Sequence, residues 1–406
     1  MPSHVTRPVL LPLVWTCLAT GLALTIFLCG GCTTRPKGQL PELHPLAKKL
    51  DNGTILSSNG STVPLPTVLA QASGTDYFLL GETHDNECDH RLQADIIRRL
   101  AKHGRAGSVG LEMVPRDRQP TLDRFNNGTL SVTALQSELN WQEIWGHPFA
   151  LYAPVFQAAR DTGLNVYGLN LSQELIKSVK TGGLEGLTTT ERSKLPKAIV
   201  PPPTEQRDEL EQQLAMHRSM LDSTGNSTVT RESFFLVQSI WDSTMAETAT
   251  AIRRDSGRPV VIIAGSGHVE HGWGIAHRLK QFDPEARTTS LLPWRGRGEL
   301  PSEAAEYFYY CPLVKTSRLG FSFVWTERGL TISSVDSGSP AWRAGLRGGD
   351  ALVRAGDRPV ETPTDLHAAA IRASRAEEPL HLEVDRNGRR LPVSLPLGRQ
   401  ATSPDS

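Results

Sequence analysis

The chain has 406 residues, enough for two domains that each bury a hydrophobic core. Its 43 lysine and arginine residues balance its 43 aspartate and glutamate residues, so the formal net charge is zero. Because no basic run is interleaved with aromatic residues either, we expect no nucleic-acid partner.

Residues 1–32 are typical of a bacterial lipoprotein signal peptide, and residues 33–45 form a flexible tether. Arg7 precedes the apolar run PVLLPLVWTCLATGLALTIFLCGGC, which ends at Cys32. The ending LCGGC resembles a lipobox, in which Cys32 would carry the lipid. An uncleaved anchor helix is the alternative, since about 20 apolar residues can span a bilayer. Either form predicts an exported protein held at a membrane of the cell envelope.

Strand patterns alternate with helical patterns between residues 46 and 312. The run YFLLGE is followed by an amphipathic helical pattern, with Asp89 as the expected N-cap. SVGLEMV, LNVYGLN, RPVVIIAGSGH and TTSLLP continue the alternation. This order predicts an α/β domain with a mostly parallel sheet flanked by helices. Residues 171–230 lack a strand pattern, so we expect a helical insertion that caps the working edge of the sheet.

Polar side chains stand at the ends of four predicted strands: Glu82 with His84, then Glu112, Asn170 and His268. Ligands of parallel sheets bind outside the carboxyl ends of the strands, so these side chains should converge on one crevice. Histidine with carboxylate predicts either an acid–base site or a metal site. In the second case His84 and His268 would be ligands of a divalent ion such as zinc or manganese.

The motifs LLGETHDNECDHRLQ, GLEMVPRDRQPTLDRF, QSIWDSTMA and VVIIAGSGHVEHGWGI resemble those of the ChaN family, in the same order. ChaN proteins are haem-binding lipoproteins associated with iron uptake, and they are related to the Tiki, TraB and erythromycin-esterase-like proteins. The resemblance implies haem as the cofactor, with His90, Tyr152 and His217 as further candidates for its site. Tyr152, in an aromatic run that begins at Trp141, would be a phenolate ligand of the iron.

Two functions from different classes stay open. The first is a membrane-tethered haem-binding protein, linked to iron or haem uptake, that is not an enzyme. The second is a metal-dependent hydrolase, similar to the Tiki and esterase-like relatives, in which Glu82, His84, Glu112 and His268 activate water. A flat ligand could also be shared between two chains, so a homodimer is a further open alternative.

The pattern changes after residue 312, where short strands and one helix predict a small β-rich domain. SRLGFSF and the stretch that follows are similar to a PDZ domain over residues 316–397, and residues 398–406 form an expected disordered tail. The resemblance implies that a partner's C-terminal peptide adds as a strand, with Leu366 walling its side-chain pocket. Its carboxylate would meet the backbone amides of Arg318, Leu319, Gly320 and Phe321. A groove filled by a segment of the same chain is the alternative.

Cys88 and Cys311 are the cysteines that follow the apolar N-terminal segment. They form no metal-type spacing. The sequence leaves open whether they form a single disulfide or two separate buried thiols.

Overall fold

The computed structural model describes residues 43–221, 230–317, 319–335 and 337–397. The predicted signal peptide with Cys32, the loop residue Arg318 and the predicted tail lie outside the described residues. Within these ranges, no helix combines the length and the apolar character that crossing a bilayer requires.

The first sheet has the strand order β1-β7-β6-β2-β5-β3-β4. Every neighbouring pair from β7 to β4 is parallel, and β1 is antiparallel to β7. The predicted mostly parallel sheet is therefore confirmed. Its strands are β1 Ile55–Ser57, β2 Tyr77–Glu82, β3 Ser108–Pro115, β4 Asn165–Asn170, β5 Val260–Gly265, β6 Thr288–Trp294 and β7 Tyr307–Tyr310.

Helices cover both faces of this sheet, which explains why β2, β3 and β5 are buried along their whole length. Phe78 and Leu80 of β2 pack in the hydrophobic cluster on one face, while Tyr77 and Leu79 pack in the cluster on the other. The helices up to the last parallel strands are α1 Leu65–Gln71, α2 Glu87–Lys102, α3 Gln119–Asn126, α4 Val132–Glu138, α5 Trp141–Ile144, α6 Phe149–Thr162, α7 Gln173–Gly182, α8 Thr189–Ser193, α9 Thr204–Leu221, α10 Arg231–Ser256 and α11 Ile275–Phe282.

Local sequence signals set the ends of α2 and α10, the helices that carry residues next to the carboxyl ends of the strands. Helix α2 begins at Glu87, because the side chain of Asn86 accepts a hydrogen bond from the Cys88 amide. The expected N-cap Asp89 is thus wrong by one turn, and its carboxylate lies inside the first turn. Helix α10 is capped by the Thr230 side chain and ends at Gly257, whose φ of 63° is left-handed.

The insertion between residues 171 and 230 contains only helices in the part that the structure describes. Helix α7 packs Ile176 and Val179 against Val237 and Ile240 of α10, in a hydrophobic cluster separate from the two beside the sheet. This contact places α7 along the carboxyl edge of the strands.

The second sheet is antiparallel, with the order β14-β13-β11-β10-β9-β8 and β12 paired with β11. It has a hydrophobic core of its own, which includes Phe321, Leu366 and Val384. Its elements are β8 Val314–Ser317, β9 Phe321–Thr326, β10 Gly329–Val335, α12 Pro340–Arg343, β11 Ala351–Ala355, β12 Arg358–Pro359, α13 Pro363–Arg375, β13 Leu380–Arg386 and β14 Arg389–Leu395.

Cys88 and Cys311 form a disulfide, with their Cα atoms 5.8 Å apart. The bond joins the first turn of α2 to the segment between the two sheets. Of the two alternatives that the sequence left open, a disulfide and two separate buried thiols, the structure therefore shows the disulfide.

Candidate functional site

A cleft of about 720 Å³ lies at the carboxyl ends of β2, β3, β4 and β5, beneath α7 and α10. Of the five residues expected to converge, His84, Glu112, Asn170 and His268 line it. Glu82 is buried and does not line the cleft, but it is hydrogen-bonded to His84, which does. The cleft also has apolar walls, formed by Met113, Pro115, Ile144, Trp145, Leu171, Ile176 and Trp241.

Gly265, at the end of β5, lets two of these side chains lie next to the sheet. A Cβ atom at this position would stand 2.8 Å from Cε1 of His84, closer than real side chains approach. The Gly265 amide donates a 2.6 Å hydrogen bond to Oε2 of Glu112. A bare backbone here thus leaves room for His84 and holds Glu112 in place.

The first histidine–carboxylate pair is His84 with Glu82. Nδ1 of His84 lies 2.9 Å from Oε1 of the buried Glu82, to which Tyr152 also donates a 2.6 Å hydrogen bond. Gln93 donates to the other oxygen at 3.1 Å. Burial alone would raise the pKa of Glu82, but the charge of His90 and the hydrogen bond with His84 hold that pKa well below its usual range.

His84 is itself electrostatically coupled to the cleft. Burial lowers its pKa, but the hydrogen bond with Glu82 and the charge of Glu112 outweigh that effect and raise the pKa above its ordinary value. Its ring lies edge-on to Trp145, with the centroids 4.7 Å apart. Since Nδ1 faces Glu82, the other nitrogen, Nε2, is the one nearer Gly265.

The second pair is His268 with Glu112, and two further residues support it. Nε2 of His268 lies 3.3 Å from Oε1 of Glu112, while Nδ1 lies 2.6 Å from Oδ1 of Asp242. Arg278, fully buried, approaches the other oxygen of Asp242 to 3.4 Å. Burial lowers the pKa of His268, but the charges of Glu112 and Asp242 raise it well above the ordinary value. Both ring nitrogens of His268 therefore face carboxylates.

Residues 68–279 match the family model described as haem-binding uptake, Tiki superfamily, ChaN. The chain belongs to the ChaN family. Residues 317–397 match the family model of PDZ domains, so the second sheet belongs to a PDZ domain. Both resemblances drawn from the sequence motifs are confirmed.

A curated relative is Protein RETICULATA-RELATED 5, chloroplastic, of Arabidopsis thaliana, which is 24% identical over 257 residues. The match covers 57% of this chain and 33% of the relative, so the chain spans about one third of that protein's length.

Two solved structures are similar to separate parts of this chain. ChaN of Campylobacter jejuni, described with cofacially bound haem, is 20% identical with a TM-score of 0.48. The match covers 63% of this chain and 95% of that one. The PDZ domain of HtrA3 bound to a phage-derived ligand, FGRWV, is 32% identical with a TM-score of 0.15. It covers 17% of this chain and 62% of that one.

Two of the ChaN-derived candidates do not reach the cleft. The Tyr152 hydroxyl is fully buried, donates to Glu82 and accepts a 3.1 Å hydrogen bond from Trp145. Burial and the Glu82 charge raise the pKa of Tyr152 far above its ordinary value. This geometry weighs against the expected phenolate role, because a ligand must ionise and face the iron.

His90 is also fully buried, with its ring against that of Tyr152 at a centroid distance of 4.1 Å. Nε2 of His90 lies 3.3 Å from Oε2 of Glu82, but neither ring nitrogen makes a hydrogen bond among the described residues. His90 lies behind Glu82, which weighs against the expected role of His90 as a cofactor contact. His217 belongs to α9, and its side chain lies outside the described residues.

The predicted metal site has no support in the described ranges. No group of three or more histidine, cysteine, aspartate or glutamate side chains there is arranged to hold a metal ion. His84 and His268 each bind carboxylates of their own instead of converging on one point. This finding weighs against zinc or manganese held by that pair.

Several residues of the site were missed by sequence reasoning. Asp242 and Trp241 stand in the motif QSIWDSTMA. This motif could have indicated that both residues belong to the site. Arg278, Lys177 and Lys180 gave no signal, because their positions on helix faces look like ordinary solvated or packed residues.

The expected alternative of a homodimer that shares a flat ligand stays a prediction.

Proposed function

We propose that the α/β domain binds haem in the cleft beneath α7. The observation that carries this proposal is the make-up of the cleft, in which two indoles and several aliphatic side chains accompany two lysines of α7, Lys177 and Lys180. Porphyrin faces gain about 25 cal/mol for each Å² removed from water against such walls. The carboxylates of haem would pair with the lysine ammonium groups.

His84 is the residue that we propose as the ligand of the haem iron. Nδ1 is bonded to Glu82, a partner of the kind that fixes the tautomer and raises the basicity of a metal-bound imidazole. Its side chain is 32% exposed in the cleft, whereas His268 is 12% exposed and has carboxylates at both nitrogens. When bound, the iron would supply ligand-binding or redox chemistry.

Titration with haemin, followed by absorption spectra, tests this proposal. We expect saturable binding that weakens in a Lys177→Glu, Lys180→Glu double variant, and a changed spectrum in His84→Ala. His103→Ala, in the exposed C-cap of α2, is the matched control and should behave as the wild type. Weak, non-saturable association of haemin with the wild type would contradict the proposal.

A second candidate is a hydrolase that works by acid–base chemistry, without a bound metal. The observation in its favour is that both histidine–carboxylate pairs border one cleft. Deprotonated above its raised pKa, His84 would accept a proton from water through Nε2, and Glu82 would stabilise the imidazolium that forms. A panel of ester and peptide substrates tests it: hydrolysis that Glu112→Gln abolishes, without bound haemin, would favour this candidate over haem binding.

The PDZ domain is proposed to bind the free C-terminus of a partner protein. Ala341 donates to the Leu319 carbonyl at 3.0 Å, and the Ser339 hydroxyl donates to the Gly320 carbonyl at 3.1 Å, so the loop before β9 is held by α12. Gly320 has a φ of 82°, and a Cβ there would clash with Ser339. Peptides with free and amidated C-termini should differ in affinity; equal affinities would exclude this mode.

The proposed setting is the cell envelope, where a lipid on Cys32 would tether the protein and bound haem would serve iron uptake. One acyl chain binds membranes only marginally, so stable attachment needs more than one. Cys32→Ser should abolish lipid labelling and leave an unprocessed precursor. Unchanged labelling and processing would remove the lipid anchor from the proposal.

A further inference from the structure

Strand β8 occupies the outer side of β9 in the PDZ domain. The two strands are antiparallel, and the register pairs Val314 with Val324 and Ser317 with Phe321. Strand β10 lies on the other side of β9, so β8 is the edge strand of this sheet.

This edge is the one that a C-terminal peptide would need. A ligand added to β9 in the usual mode runs antiparallel to it, with its last residue beside the loop that precedes β9. Strand β8 has that direction, and its last residue, Ser317, stands opposite Phe321, next to Leu319 and Gly320. The backbone groups of β9 that would bind a partner are therefore already paired within the chain.

We propose that β8 is an internal ligand that closes the PDZ groove, and that a partner's C-terminus binds by displacing it. The inference rests on the proposed peptide-binding function. The occupant is residues 314–317 of this chain, and the competitor is a peptide with a free α-carboxylate.

The chemistry of the two competitors differs in one group. Strand β8 lies inside the chain, which continues beyond Ser317, so it brings no terminal carboxylate to the amides of the loop. A partner's C-terminus adds that anion, and charge-assisted hydrogen bonds are about twice as strong as neutral ones. A peptide can therefore displace β8, although β8 has a high effective concentration because it belongs to the same chain.

The residues just before β8 limit how far it can move. Cys311 is bonded to Cys88, and the Pro312 carbonyl accepts a 2.9 Å hydrogen bond from Asn86. A displaced β8 thus stays near the groove at a high effective concentration and closes it again when the partner leaves. The same two contacts attach the base of β8 to residues that closely follow His84 in the chain.

Proline substitutions in β8 test the proposal in the full chain. In an antiparallel edge strand alternate N–H groups face the neighbouring strand and solvent, so only one of Lys315 and Thr316 donates to β9. Lys315→Pro and Thr316→Pro are therefore matched variants, of which one removes a ladder bond and the other serves as its control. Unchanged exchange protection of the β13–β14 amides would show that both variants retain a folded PDZ domain.

The probe is a set of peptides selected on the Lys315→Pro, Thr316→Pro double variant from a library with random free C-termini. Affinities are measured by fluorescence anisotropy, and hydrogen exchange reports the amides of β9. We expect one single variant to bind the selected peptides about tenfold more tightly than the wild type, because its groove is open more of the time. Its β9 amides should also lose protection.

Each result bears on a different statement. Equal affinities in the wild type and all variants would leave peptide binding intact and overturn the internal ligand. Rapid exchange of the outer β9 amides in the wild type would overturn it as well. If no free-acid peptide binds the wild type or any variant, the proposed peptide-binding function is wrong, and so is the proposal that β8 closes the groove.

Discussion

Replacing Tyr152 with phenylalanine separates a structural role of its hydroxyl from a role as haem ligand. The hydroxyl is fully buried and donates a 2.6 Å hydrogen bond to Glu82. The substitution keeps the ring, which packs against Trp141 and His90, and removes only this donor. Glu82 then loses one of the groups that stabilise its charge.

The expected cost follows from the charge of the acceptor. Hydrogen bonds to ionised groups contribute about 1.5–3 kcal/mol to stability, and the Trp145 indole also loses its acceptor. For a domain of this size, 1 kcal/mol shifts the melting temperature by about 2–4 °C, so Tyr152→Phe should melt about 3–12 °C lower. Haemin spectra should keep their wild-type form, since the hydroxyl does not face the cleft.

Tyr77→Phe is the matched control for this measurement. The Tyr77 hydroxyl donates a 2.9 Å hydrogen bond to Asp283. Tyr77 is as buried as Tyr152, but it begins β2, whereas Glu82, the partner of Tyr152, ends that strand. Urea unfolding and haemin titration of both variants complete the comparison. A Tyr152→Phe protein of unchanged stability, with a ferric spectrum altered in that variant alone, would refute our assignment and restore the phenolate ligand.

Three further outcomes are expected. Asp242→Asn leaves the buried Arg278 without its anion and should destabilise the protein by about 3–5 kcal/mol in urea unfolding. The free energy of unfolding of the wild type relative to His268→Gln should be greatest below about pH 6.5. It should fall as the pH rises through the raised pKa of His268, by up to about 1.4 kcal/mol per pH unit. The Cys88→Ser, Cys311→Ser double variant, which opens a link across 223 residues, should lose about 2–4 kcal/mol.

The sign of the pH effect tests the contacts of His268 with its two carboxylates directly. A folded-state pKa above the unfolded value means that protonated His268 stabilises the fold, so the contribution is complete at low pH and disappears on deprotonation. An advantage of the wild type that grows with pH would contradict the two carboxylate contacts. A double cysteine variant as stable as the wild type, or free Cys88 and Cys311 in peptide mapping, would contradict the disulfide.

The α/β order and the shared edge of the strands could be predicted from the sequence because both depend on local patterns. Hydrophobic runs of five or six residues that alternate with amphipathic helices leave few alternatives to a parallel sheet. Glu82 ends β2, Glu112 lies in the last part of β3 and His268 follows β5. Parallel strands bring these carboxyl ends to one edge of the sheet. The motifs also sufficed to recognise the ChaN and PDZ families.

Tertiary structure alone decided where the polar atoms of these residues point and what binds them. Tyr152 of α6 donates to Glu82 of β2 while its ring packs against Trp141 of α5, and no local pattern contains these contacts between elements. The partners Asp242 and Arg278, the Cys88–Cys311 bond and the pairing of β8 with β9 likewise join residues that the fold brings together. The direction of a side chain and the burial of its charge depend on all the elements packed against it, so the sequence located the site while the packing assigned its chemistry.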